Sequence, residues 1–228
     1  MDMNADFSKR ATVHASTAPW VPSPMKGVER RMLDRMGDEV ARATTIVRYA
    51  PGSSFSAHTH TGGEEYLVID GVFQDELGDF PVGTYVRNPP QSKHTPRADN
   101  GATILVKLWQ FDPEDRHQMS VDTLNTEPQP VAGRDGASEI ALYSDDRENV
   151  RVEIWEAGSQ QFIKGHKGLE VFVISGGFSE SGEQFETESW LRLPVGADFD
   201  AHVGSEGARV WIKSDHLGDD PDRKSTRL

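Results

Sequence analysis

Short runs in which apolar and polar residues alternate, each bounded by Gly, Pro, Asn or Asp, fill most of this chain. They lie at 28–32, 41–49, 66–69, 83–87 and 103–111, and again at 140–142, 150–156, 171–175, 189–193 and 208–213. Enriched in β-branched and aromatic residues, they predict strands joined by turns. No segment has the period of a long amphipathic helix. An all-β jelly-roll architecture is the natural solution for this pattern. The opening stretch, ending Trp20-Val21-Pro22-Ser23-Pro24, is expected to be irregular, with Trp20 packed across a barrel mouth. Residues 218–228 are expected to form a disordered tail.

The pattern occurs twice. Gly158-Ser-Gln-Gln-Phe-Ile-Lys164-Gly-His166 to Gly177 repeats the run from Gly52 at an offset of 106, and Gly207–Lys213 repeats Gly101–Lys107 at the same offset. Two tandem units follow: residues 1–115 with an N-terminal extension, a linker at 116–135, and a second unit at 136–217. Each falls near the usual size of a domain.

The first unit carries the chemistry. His58 and His60, two apart on an extended segment, project from one face, so both imidazoles can reach a single ion. After Thr61-Gly62-Gly63, the run Glu64-Glu-Tyr-Leu-Val-Ile places Glu64, Tyr66 and Val68 on a common side, and Asp70-Gly71 supplies a hairpin-turn pair. A further strand and turn from Gly83 lead to His94. Three neutral nitrogen donors and one anionic oxygen suit a divalent ion of the zinc, iron, manganese or nickel type. Burying such a group without an ion or full hydrogen bonding would be costly. Glu65 points the other way, either solvated or supporting the ligands. Tyr66 and Arg87 are candidates to orient an anionic or enolate group, and Tyr66 has a packing role as the alternative. His14, His117, His202 and His216 read as ordinary polar residues.

The first run matches the first cupin motif: Gly, five residues, His-X-His, three residues, Glu, six residues, Gly. The second matches the second cupin motif at Gly83, Pro89 and His94, with Gln91 where that family usually has Gly and Ala98 where it has Asn. With 41–52, Gly63-Glu-Glu-Tyr-Leu-Val, Arg87-Asn-Pro-Pro and Ile104-Leu-Val-Lys-Leu-Trp-Gln-Phe, the chain resembles the cupin half of ChrR-type anti-sigma factors over residues 20 to 115. The resemblance implies a bicupin (tandem double-stranded β-helices) with a metal on His58, His60, Glu64 and His94, zinc by preference. It also implies a regulatory role, sensing a small molecule or oxidative stress. In that family the sigma factor is held by a separate helical domain with His and Cys ligands, for which this sequence has no counterpart, so sigma binding does not carry over. Cupins with three histidines and a glutamate also resemble metal-dependent dioxygenases of small oxygenated molecules, with Glu64 as ligand or general base. A purely structural ion is a third reading.

At the constant offset, Lys164, His166 and Glu170 stand for His58, His60 and Glu64, while aligning Pro194 with Pro89 puts Phe199 at His94. Two ligands of four remain, which makes the second lobe structural, a metal-free pocket, or a weak metal site using His202. A Lys164–Glu170 ion pair is expected to replace the ion.

A net charge of −13 and a pI near 5.0 argue against direct nucleic-acid contact. Cys is absent, so thiolate metal sites and disulfides are excluded. The N-terminus lacks the apolar core of a secretory signal and no apolar stretch is long enough for a membrane span, which favours a cytoplasmic protein. A regulatory protein partner, and a homodimer covering sheet edges, are further expectations.

Overall fold

A computed structural model describes residues 1–38 and 40–218, so the expected tail lies outside the described residues beyond Gly218. Among these residues the regular structure is β except for one 3-10 turn at Ala15–Thr17, as the strand pattern predicts. The described residues form two compact units, Met1–Ala5 with Pro19–Asn125, and Asp6–Ala18 with residues 126–218.

In the first unit Glu64–Asp75 is the central strand, antiparallel to Ala102–Leu108 on one side and Thr84–Asn88 on the other. The sheet extends through Arg42–Tyr49, Val28–Met36 and Val21–Pro22 past the first neighbour, and through Met119–Asp122 past the second. Alternation sends Val28, Val47, Tyr66, Val68, Val86, Ile104 and Val106 into one apolar cluster with Phe73 and Ala98. Burial of such side chains contributes roughly 1.5–3 kcal/mol each. The opposite parity carries Glu65, Arg87 and Lys107, each 1% exposed. There Tyr85 Oη donates to Glu65 at 2.6 Å, Lys107 Nζ donates to Thr44 Oγ1 at 2.7 Å, and Arg87 pairs with Asp115 while lying 4.1 Å over the Phe111 ring. Glu65 is thus buried and partnered rather than solvated.

Three local expectations change. Asp70-Gly71 is not a hairpin turn, because Glu64–Asp75 runs through it and the chain reverses at Glu76-Leu77. Gly71, at φ 70° and two residues past the bulge at Ile69, sits where a Cβ would approach Gly101 O to 2.2 Å, so a glycine is required for close backbone contact. Trp20 does not cover a mouth. Its ring stacks under the guanidinium groups of Arg31 and Arg48, at 4.3 and 4.1 Å, on residues whose strand neighbours Arg30 and Val47 take the interior parity. The expected linker 116–135 contains strands of both units: Met119–Asp122 pairs with Thr84–Asn88, and Gln129–Pro130 with Ala137–Ser144.

The second unit repeats this order, with Leu169–Glu180 between Phe199–Ser214 and Ser189–Leu193, and with Asn149–Trp155 and Ala137–Ser144 beyond. Its edge strand comes from the start of the chain. Ala11–His14 pairs with Ser189–Leu193, Arg10 bridges Glu180 and Glu183 at 2.8 and 2.7 Å, and Arg192 lies 4.2 Å over the Phe7 ring. The opening stretch is therefore ordered, and its residues Asp6–Ala18 belong to the second unit.

Candidate metal centre

His58 and His94 face each other across a two-residue ladder, His58–Thr59 against Lys93–His94. His60 is tied to the same turn: its amide donates to Ser92 O and its carbonyl accepts from Gln91 N, both at 2.9 Å. Gln91 adopts φ 73°, the left-handed conformation that the usual glycine would enter freely and that costs an L-residue about 1–2 kcal/mol. The turn geometry is thus kept despite the substitution. The ring centroids lie 4.6 to 5.0 Å apart in edge-on pairs.

Each ring is held by its Nδ1: His58 against Ser56 O at 3.2 Å, His60 against Ser92 Oγ at 3.0 Å, and His94 against Asp75 Oδ2 at 3.0 Å. That leaves the three Nε2 atoms for other use. Donor atoms of His58, His60 and His94 all lie within 4.8 Å of one another. Glu64 Oε1 stands 3.5 Å from His60 Nε2 and 3.7 Å from His94 Nε2, and accepts from Asn88 Nδ2 at 3.4 Å.

Burial pushes the His60 imidazole down to about 4, with His58 adding repulsion, so it is neutral at pH 7. Burial also raises the Glu64 carboxyl, a shift that His94, His58 and Asn88 oppose. His60 Nε2 is buried with no hydrogen-bond partner. A neutral imidazole nitrogen without a hydrogen-bond partner, beside a carboxyl whose ionisation burial disfavours, is the environment a cation would relieve. With one anchored nitrogen on each ring, this set fits a divalent ion.

The cluster opens onto a cavity of about 460 Å³ with apolar walls that include Val47, Phe55, Phe73, Leu108 and Trp109. Trp109 packs on Gly62, where a Cβ would fall 2.2 Å from the indole.

The structure brings together His58, His60, Glu64 and His94, and separates Tyr66 and Arg87 from them. Tyr66 packs in the core against Phe73 and Phe80, with centroids 5.1 and 6.3 Å away, and its hydroxyl has no hydrogen-bond partner. Arg87 is on the far side of the sheet with Glu65 and Asp115, so it cannot orient a ligand at the histidines. Asp75 and Arg30 escape the sequence reading. Simple alternation from Glu64 would turn Asp75 outward, and the bulge at Ile69 reverses the parity and brings it in, whereas Arg30 sits at an interior position, two residues from Val28, and lines the cavity.

Pairing corrects the alignment of the second unit. Glu65 opposes Arg87 and Lys107, just as Glu170 opposes Arg192 and Lys213, so Glu170 corresponds to Glu65 and Leu169 to Glu64. Ile163 opposes Phe199 as His58 opposes His94, and Gly165 then takes the place of His60. The offset is 106 at Ser54 and Gln160, 105 from Ile163 to His202, and 106 again at Lys107 and Lys213. One residue is missing between Gln160 and Ile163, which makes Lys164, His166 and Glu170 false equivalents. All four ligand positions are lost, to Ile163, Gly165, Leu169 and Phe199. Leu169 and Phe199 are fully buried in an apolar cluster with Trp155, Phe178 and Phe185, against which Ile163 packs. The expected Lys164–Glu170 pair is absent: Lys164 is exposed, 4.1 Å over the Phe162 ring, and Glu170 is held by His216 at 2.9 Å and Trp190 at 3.3 Å. His202 is exposed, and among the described residues no triad of potential ligands occurs in this unit. Of the other histidines, His14 contacts Ser189 and Glu183, and His117 is exposed.

Residues 8–112 match the family model of the ChrR cupin-like domain. No curated protein matches the chain. Among solved structures, a candidate dioxygenase from Nostoc punctiforme superposes with a TM-score of 0.75 at 14% identity, over 93% of this chain and 85% of its own. A candidate glyoxylate-induced protein from Pseudomonas aeruginosa gives 0.74 at 14% identity, over 94% and 91%. Oxalate decarboxylase from Bacillus subtilis, described with Mn(II) centres, gives 0.60 at 13% identity, over 90% and 77%. At such identities the likeness establishes the two-unit cupin fold. No helix among the described residues is long and apolar enough to cross a membrane.

Proposed function

From the premise that residues 8–112 match the ChrR cupin-like domain and that the whole chain folds as a bicupin, we propose that the first unit binds one divalent metal ion and, with it, a small oxygenated organic molecule. The ligands are His58, His60 and His94, with Glu64 as the oxygen donor. One observation carries the reading: three anchored imidazoles turn their free nitrogens toward an accessible cavity instead of a sealed core. A closed four-ligand cage would suit a structural ion, whereas a site facing a cavity keeps positions for a ligand.

A bound ion would polarise an oxygen atom of the molecule it holds. The residues supply the rest. Ser56, Ser92 and Asp75 fix the ring orientations, and the apolar wall excludes water. Glu64, whose proton affinity is raised by burial, is placed to accept or return a proton beside the ligands. The first reading is a metal-dependent oxygenase, supported by the cavity and by the shared fold with the Nostoc candidate dioxygenase. The second is a metal-bearing sensor, favoured by the ChrR domain match.

Zinc, iron, manganese and nickel all suit the donor set. Oxygen uptake by protein loaded in turn with each ion, screened against 1,3-diketones and phenols, separates the two readings. Uptake that disappears in Glu64→Gln supports an oxygenase. Saturable binding without uptake supports the sensor, and neither uptake nor binding contradicts both.

A further inference from the structure

Arg30 lies outside both histidine motifs, yet its side chain lines the same cavity as His58, His60 and His94. On Val28–Met36 it opposes Val47, sharing the interior parity of Val28 and Val47, both members of the apolar cluster. Its Nε is buried and makes no hydrogen bond, and among the described residues no carboxylate pairs with it. Its neighbours differ. Arg31 and Arg48 stack on Trp20, and Arg48 also bonds Glu29. Glu64 is the one acidic residue in the cavity lining, and it faces His60 and His94.

The Arg30 side chain is half-buried, with its Nε withdrawn from water, and an anion placed against the guanidinium would offset the hydration that is lost. Since the protein supplies none, the cavity selects for one in its ligand. We propose that Arg30 is the anchor for an organic anion, a carboxylate or enolate carried on an apolar body that lies against Val47, Phe55, Phe73 and Leu108. The cavity volume of about 460 Å³ falls within the ordinary range for small-molecule sites. A divalent ion with neutral histidines and one carboxylate leaves the site positive, and Arg30 adds to that charge. This names the ligand class for the proposed metal site and rests on that reading for its role, although the anion–guanidinium contact itself does not require the ion.

The test is calorimetric titration with benzoate and with its neutral isostere benzamide. The proteins are wild type, Arg30→Met and Arg30→Lys, each with intact ligands and each in a His94→Ala background that removes a metal ligand. Benzoate affinity should fall about 10- to 100-fold in Arg30→Met, as expected for a lost charge-assisted hydrogen bond, and Arg30→Lys should recover part of it. Benzamide should bind alike to all three, and an unchanged amide NMR spectrum verifies folding. The same ratio in the His94→Ala background separates this contact from the metal, so it survives even if the metal reading fails. Equal benzoate affinity in Arg30→Met, no saturable benzoate binding by the wild type, or a loss confined to the metal-loaded protein would overturn the proposal.

Discussion

His60 shows how a buried donor is made ready for an ion. Its imidazole is lowered from an ordinary 6.5 to about 4, so between these values the unfolded chain binds more protons than the folded one. Metal-free protein should therefore lose stability as pH falls from about 6.5 to about 4, by at most roughly 3 kcal/mol. Glu64, raised by burial, acts in the opposite sense, so the comparison with His60→Gln isolates the histidine. The urea midpoint of chelator-treated protein should fall less between neutral and acid pH in that variant than in wild type, and an equal fall would remove His60 as the cause. Asp75 holds His94 by Nδ1 at 3.0 Å, so Asp75→Asn should weaken metal affinity about 10- to 100-fold, measured by chelator competition. The ligands are legible in sequence because their spacing on extended chain brings them to one face. Asp75 is not, because the bulge at Ile69 reverses the side-chain parity between it and Glu64. Arg87 is misread for a related reason: its position beside conserved-looking turn residues says nothing of which face it takes, and pairing with Glu65 puts it outside.

Single residues gained or lost within strands decide the larger difference between the units. The repeat offset of 106 is visible in the sequence at Gly52 and Gly101, but between Gln160 and Ile163 the second unit is one residue shorter, and because side chains alternate, that slip moves the comparisons from there to Phe199 to the other face. Hence Glu170 looks like a ligand and is the counterpart of Glu65. His166→Ala should accordingly leave metal content unchanged. The all-β class and the doubled architecture are legible from strand periodicity and the repeat, whereas the edge strand Ala11–His14 is too short and too little patterned to announce its partner. Val13, opposite Trp190, tests that pairing. Val13→Pro removes a backbone N–H from this edge strand and fixes its φ, which should weaken the pairing. Amides of Ser189–Leu193 should then exchange faster while metal loading is retained. Unchanged exchange there would mean the strand contributes nothing to that edge.

For the whole molecule, two copies of one fold divide the work: the first keeps a cavity with ligands at its wall, and the second fills the same positions with Ile163, Leu169 and Phe199. A filled barrel gains packing that an open one forgoes, so the first unit is the one an ion should stabilise, by mass action on the folded state. Metal addition should raise the unfolding temperature of wild type and leave that of His60→Ala unmoved. The most direct measurement is elemental analysis of tag-free wild type, His60→Ala and His166→Ala, purified without chelator and loaded with the same ion. The account predicts about one ion per chain in wild type and His166→Ala, and close to none in His60→Ala. No ion in wild type, two per chain, or equal loading of wild type and His60→Ala would contradict it.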